Sequence, residues 1–460
     1  MLRKSYDTCI LGQNYISLIY GLISVIKNNN TLIIEESEKS FASKWCQNIG
    51  YLERSVLLNL GEKYDIEVLK NIDTYLLEQN TILNLNDTLV EFCDSPYANI
   101  KEIARKMPDC FSDIYHQHFM NINSDVFDQD FFKYLDQLSV HSFDYFEKED
   151  IDSAFISESS LQMNELFEHF FNYLEMNTLV TKQFHYILQV MFQSVFSSGI
   201  SAVESKYLLI SILSPRYKVD YTYMRDDLLE EYRALGGDTK SAKVADWGIR
   251  DNYLEYILLG SIDGVIKTNK TYYFDQTAVE LPFRNKTEGI PFKSIEVRYT
   301  VQHEFVSSFM NKRIIFTTEA RMGSDFPYWE IFIDEDGKMV ASYSYADYLG
   351  TKASFYYQHA LEDIFTSLEA MLPGFEREPF FNTAKVTTGF DIWYEYPPEQ
   401  KAMLHPHHNF ALKDLYLFSG NTKIQGISHC GPNRTKSLGF LSYMLDVFSS
   451  DINFSKTHVK

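Results

Sequence analysis

The stretch Tyr6–Glu36, YDTCILGQNYISLIYGLISVIKNNNTLIIEE, constrains the fold of this 460-residue chain more than any other. Thr8–Leu11 is a short apolar run that stops at Gly12. Ile16, Ile19, Tyr20, Ile23 and Ile26 then recur at helical spacing until Asn28–Asn30 interrupts them. Thr31–Ile34 is a second strand-like run, closed by Glu35. Strand, tight turn, helix, turn and strand make a βαβ unit.

In a dinucleotide-binding turn of this kind the first glycine makes the bend and the second lets backbone approach the pyrophosphate. The third lets the helix pack on the strand, and an acid ending the second strand takes the ribose hydroxyls. The three glycine positions read Gly12, Asn14 and Ser17, with Tyr15 between the last two, and the acid is Glu35 with Glu36 beside it. From Asp7 to Gly12 to Glu35, and at the start of the chain, the spacing resembles the opening of FAD-dependent amine oxidases and phytoene desaturases. That resemblance implies a discontinuous, Rossmann-like FAD/NAD(P)-binding α/β domain, with FAD as cofactor and an α+β substrate domain of antiparallel sheet and helices. Just after the acid the family carries an arginine and a glycine pair; those places hold Lys39, Phe41 and Ala42.

Two distant segments repeat the resemblance in order. Tyr223–Leu235 reads as a helix stopped by Gly236–Gly237 and followed by short strands, one near Ala242–Trp247 and a clearer one at Tyr253–Leu259, then a turn at Asp263–Gly264. In the family a strand just after the glycine pair brings backbone to the adenine; here it is centred on Val244. Near the end, the strand Asp414–Phe418 runs into Ser419-Gly420-Asn421, and Thr435–Phe448 reads as a closing helix. The family places a Gly-acid pair and the N-terminus of its last helix against the flavin there. The resemblance thus assigns Gly420, Asn421 and Thr435 to the cofactor, with Asn421 in place of the acid.

The resulting division is 1–75, 216–281 and 391–460 for the FAD-binding segments, 76–215 for a helical part of the substrate domain and 282–390 for its sheet and helix. Within 76–215, Ile100–Met107, Asp128–Leu138, Leu161–Glu175 and Lys182–Phe196 show helical periodicity, and Ser159 with Gln162 offers a capping box. Ser294–Val301, Lys312–Thr318, Tyr328–Ile333 and Met339–Tyr345 read as strands of an antiparallel sheet with one wet face, followed by a helix at Ala353–Met371.

Composition narrows the function. A formal charge of −21 opposes nucleic acid or an anionic membrane as the main partner. Five scattered cysteines without a CxxC pair fit reduced thiols in a cytoplasmic protein, and no run reaches the length of a membrane span. The 35 Phe and 32 Tyr are read as core packing, including those of LFEHFFNYLEM. His405, His407, His408, His429 and Cys430 match no zinc spacing, and no metal is expected there. Neither a phosphate-binding loop nor a G-x-S-x-G nucleophile motif is present.

The family resemblance implies hydride transfer from an apolar or amine-bearing small molecule to FAD, and it designates no catalytic residue in this chain. Two alternatives stand beside it. One is a non-catalytic member of the fold that has lost FAD and binds a protein partner, as Rab GDP-dissociation inhibitors resemble this family without acting as oxidases. The other is a βαβ unit serving a different nucleotide.

Overall fold

The computed structural model describes residues 4–147, 210–273, 289–300, 312–317, 328–346, 357–394 and 427–429, apart from short breaks of which the longest is 36–47. The chain begins as the sequence predicts: β1 (Lys4–Leu11), α1 (Tyr15–Ile26) and β2 (Thr31–Glu35). Helix α1 ends because Asn28 adopts the left-handed conformation (φ 64°). This lets Asn28 and Asn29 donate N–H groups to the carbonyls of Val25 and Ser24. The turn is then fastened to β1: Asp7 accepts the Asn30 N–H at 2.9 Å, and the Asn30 carbonyl accepts from Asp7 and Thr8. Asp7 therefore closes the amino end of the unit, far from the glycine turn.

Next come β3 (Asn48–Gly50), α2 (Tyr51–Tyr64), α3 (Glu67–Lys70), β4 (Thr74–Leu76), β5 (Asn80–Leu85), β6 (Thr88–Phe92), α4 (Pro96–Lys106) and α5 (Ser124–Glu147). After residues 148–209, which lie outside those described, follow β7 (Arg216–Val219), α6 (Tyr221–Ala234), β8 (Asp238–Ser241), β9 (Val244–Arg250), β10 (Tyr253–Leu259) and β11 (Val265–Tyr273). The remainder is β12 (Gly289–Tyr299), β13 (Lys312–Thr317), β14 (Tyr328–Ile333), β15 (Met339–Ala346), α7 (Tyr357–Met371), α8 (Arg377–Thr383), β16 (Lys385–Tyr394) and β17 (Ile427–His429).

Five of these strands form a parallel sheet in the order β8-β2-β1-β11-β17. Renumbered along the chain, that order is 3-2-1-4-5, the doubly wound arrangement whose direction reverses between strands 1 and 4. The antiparallel strands β9 and β10 continue from β11. Side chains of β1 and β2 alternate between two apolar layers. Ile10 and Ile33 pack with Leu18, Tyr20, Leu22 and Tyr232 of α1 and α6, while Cys9, Leu11, Leu32 and Ile34 pack with Leu254, Ile257 and Leu259 of the meander. Each such side chain taken fully out of water contributes about 1.5–3 kcal/mol, which explains why β1 carries apolar residues on both faces.

The second large sheet has the order β16-β12-β15-β14-β13-β5-β6. Its central strands are those the alternation predicts, and α7 follows them as expected from Ala353–Met371, beginning at Tyr357. Ile295, Val297 and Tyr299 face helices α7 and α8, where the Tyr299 and Phe380 rings meet edge to face at 4.7 Å. Two expectations are corrected here. The segment after residue 76 is not helical from its start, because β5 and β6 form a hairpin that belongs to this sheet. The sheet is also not wholly antiparallel, since β5 joins β13 in parallel register, Ile82 opposite Ile314. The helices expected at Ile100–Met107 and Asp128–Leu138 are α4 and α5, whereas Leu161–Glu175, Lys182–Phe196 and the capping pair lie outside the described residues. No helix among the described residues is long and apolar enough to cross a membrane.

Candidate functional site

In an open parallel sheet a ligand crevice forms where neighbouring crossovers leave in opposite directions, at the carboxyl ends of the strands on either side of the reversal. Here that place lies between β1 and β11, beyond Leu11 and Tyr273, which are in register. The first residue past β1 is Gly12, whose φ of +105° is strained for any residue with a side chain. Its N–H donates to the Ile34 carbonyl at 2.9 Å, so the bend is tied to the end of β2 one residue before Glu35.

Helix α1 starts at Tyr15 with no acid in its first turn, so the positive end of its dipole lies beside the bend at Gly12. Glu35 ends β2 half-buried, and its carbonyl accepts the Ala242 N–H at 3.0 Å. The crevice is therefore bordered in sequence by Gly12, the head of α1, Glu35, and the Ser241–Ala242 corner after β8. Backbone at the Gly12 bend and the positive end of α1 suit an anion, and the Glu35 carboxylate suits a hydroxyl-bearing group.

The third glycine position shows how the substitution is tolerated. Ser17 is fully buried within α1, and the close approach expected there is made one turn later by Gly21. A Cβ at Gly21 would lie 2.8 Å from Ile33 Cδ1 and 3.1 Å from Tyr232 Cε2. Sequence reading missed Gly21; its signal was a lone glycine inside an apolar helix, four residues beyond the expected one.

Helix α6 lies where the periodicity predicts and stops at the glycine pair. Gly236 is left-handed (φ +90°), and Gly236 and Gly237 donate to the carbonyls of Arg233 and Tyr232 in a Schellman stop. The strand directly after the pair is β8, not one centred on Val244. Asp238–Ser241 extends immediately because it completes the parallel ladder with Leu32–Glu35. Val244 instead opens β9, half-buried against the meander core, two residues past the Ala242–Glu35 contact. Tyr232 braces this corner: its buried hydroxyl lies 2.8 Å from the Thr31 carbonyl and 3.1 Å from that of Asp238. Burial and the neighbouring Asp238 carboxylate push its phenol far above the ordinary range.

Gly12 and Glu35 thus stand at the carboxyl ends of β1 and β2, with Tyr15 and Ser17 in the first turn of α1, whereas Val244 pairs with Leu259, whose neighbour Leu258 is level with Val265 at the start of β11. Asn14, Glu36, Lys39, Phe41, Ala42, Gly420, Asn421 and Thr435 lie outside the described residues, as does the strand expected at Asp414–Phe418. The described strand in that region is β17, which joins β11 in parallel with His429 level with Tyr273. Sequence reading did not single it out, because three residues carry no periodicity. His405, His407 and His408 are also outside the described residues, and among those described no group of three His, Cys, Asp or Glu side chains is placed to hold a metal.

No protein-family model matches the chain, and no curated protein matches it. Solved structures with a related chain path include glycine oxidase from Bacillus cereus (12% identity, 98% of this chain and 95% of that one, TM-score 0.45). Others are L-proline dehydrogenase from P. horikoshii (10%, 97% and 91%, TM-score 0.44) and p-nitrophenol 4-monooxygenase from Pseudomonas putida (9%, 98% and 82%, TM-score 0.47). At such identities and TM-scores these similarities add no weight to the strand order read from this chain itself.

Proposed function

We propose that the chain is a divergent FAD-dependent oxidoreductase resembling amine oxidases and phytoene desaturases, acting on an apolar or amine-bearing small molecule. The observation that carries this reading is the coincidence of Gly12, the acid-free head of α1 and Glu35 at the reversal point of a 3-2-1-4-5 parallel sheet. The residues fit the cofactor. Backbone at Gly12 and the first turn of α1 would hold the diphosphate, Glu35 the ribose hydroxyls, and the Ser241–Val244 corner the adenine. In this reading Glu36, Lys39, Gly420, Asn421 and Thr435 complete the site. FAD, when bound, supplies a two-electron acceptor for a substrate hydride. The chain's own contribution is to orient the cofactor by strand ends and a helix head, with the second sheet and its helices as the framework for substrate.

The test is a spectrum of the purified protein. Flavin absorbance, or saturable binding of added FAD, is the expected result. Absence of both would overturn the cofactor assignment and leave the non-catalytic reading, which the filled glycine positions Asn14 and Ser17 favour.

A further inference from the structure

Between α4 and α5 the chain makes one π-helical turn, Tyr115–Phe119, closed by the Met120 N–H donating to the Tyr115 carbonyl at 2.8 Å. Such turns cost hydrogen-bond geometry and occur often at functional positions. Its inner side is firmly held. Phe119 is buried with its ring 5.7 Å from that of Phe127, and the Tyr115 hydroxyl is 3.1 Å from the Tyr97 hydroxyl on α4. Its outer side presents His116 and Met120, both exposed, with Nδ1 of the imidazole 3.0 Å from the thioether sulfur. Met120 is 54% exposed, and burial does not account for a methionine in that position.

We propose that His116 Nδ1 and Met120 Sδ form a surface site for a soft monovalent cation, Cu(I). A thioether is a poor ligand for Zn²⁺, Mg²⁺ or Ca²⁺ but selects Cu(I), and imidazole is compatible with the same ion. Two donors bound to one ion stand further apart than the 3.0 Å of the present contact. The pair opens by a small swing of two exposed side chains. Two protein donors leave the remaining positions to solvent or to a carrier's ligands, so the site suits exchange of the ion over permanent retention.

The experiment uses the full-length protein labelled with ¹³C-methyl methionine and titrated with Ag(I), a redox-inert stand-in for Cu(I). The Met120 methyl resonance is assigned by its loss in Met120→Leu, so thiols elsewhere in the chain do not confuse the readout. The expected result is a shift of that resonance that is abolished, or needs at least tenfold more Ag(I), in His116→Ala. No shift at excess Ag(I), or an equal shift in His116→Ala, would overturn the site. The same titration with Zn²⁺ should leave the resonance in place; movement there would refute the softness argument.

Discussion

The two glycines that stop α6 are needed for opposite reasons, and substituting each separates them. At Gly237 an added Cβ would fall 2.2–2.5 Å from three atoms of the Tyr232 ring, a distance no real contact reaches. The ring cannot step aside freely, because its hydroxyl is fixed between the Thr31 and Asp238 carbonyls inside the core. Gly237→Ala must therefore overpack the corner, at about 1–3 kcal/mol, or dislodge the phenol, which strands buried carbonyls at about 1–3 kcal/mol more. A total of about 3–4 kcal/mol is expected. At Gly236 nothing lies within 4 Å, so Gly236→Ala suffers only the left-handed backbone, about 1–2 kcal/mol, partly offset by lower entropy of the unfolded chain. The assay is urea denaturation followed by circular dichroism, comparing midpoints because a chain of this size need not unfold in one step. The decisive variant is Tyr232→Leu combined with Gly237→Ala. With the ring gone, the alanine should add little, giving a coupling of at least about 1 kcal/mol. If Gly237→Ala costs no more than Gly236→Ala, or the double variant is additive, the steric account of this corner is wrong.

Two further outcomes follow from the same geometry. Glu35→Ala should weaken FAD by roughly 1–3 kcal/mol, about 5- to 150-fold, through loss of a charged acceptor for hydroxyls; unchanged affinity measured by flavin fluorescence in the folded variant would mean that another acid, or another ligand, is involved. Burial, with Asp238 beside Tyr6 and Tyr232, raises the phenols of Tyr6, Tyr232 and Tyr299 well above their ordinary value of 10.0. Their neutral forms are favoured in the fold, so this part of the stability is intact below about pH 10 and is lost as pH rises beyond it. Tyrosinate absorbance should then appear together with loss of ellipticity. Ionisation of these residues in a chain that keeps its native ellipticity would contradict the burial.

Legibility in the sequence tracked the range of the interaction concerned. The β1–α1–β2 unit, the glycine stop of α6 and strands β12 to β15 rest on local patterning: an apolar run, a 3.6 period, a Gly-Gly, alternation. All were readable. The hairpin Asn80–Phe92 was not, because its runs are short and its partner β13 lies more than two hundred residues away. The strand after Gly237 was misplaced for a related reason. DTKS has weak strand propensity, and it extends because β2 offers an unpaired edge. At the site, Gly12 and Glu35 were marked by spacing along the sequence, whereas Gly21 serves a helix-to-strand contact that only the packed structure defines.

The doubly wound order has a consequence for synthesis. β2 finds its outer neighbour β8 about two hundred residues downstream, β1 needs β11, and β17 arrives only near the C-terminus. On the ribosome the first two strands thus emerge about two hundred residues before their outer neighbours, and their apolar faces stay unflanked while that length of chain is made. The opening βαβ unit should therefore be a point where chaperones engage the nascent chain, and truncation before Tyr273 should yield aggregates and not a smaller folded domain.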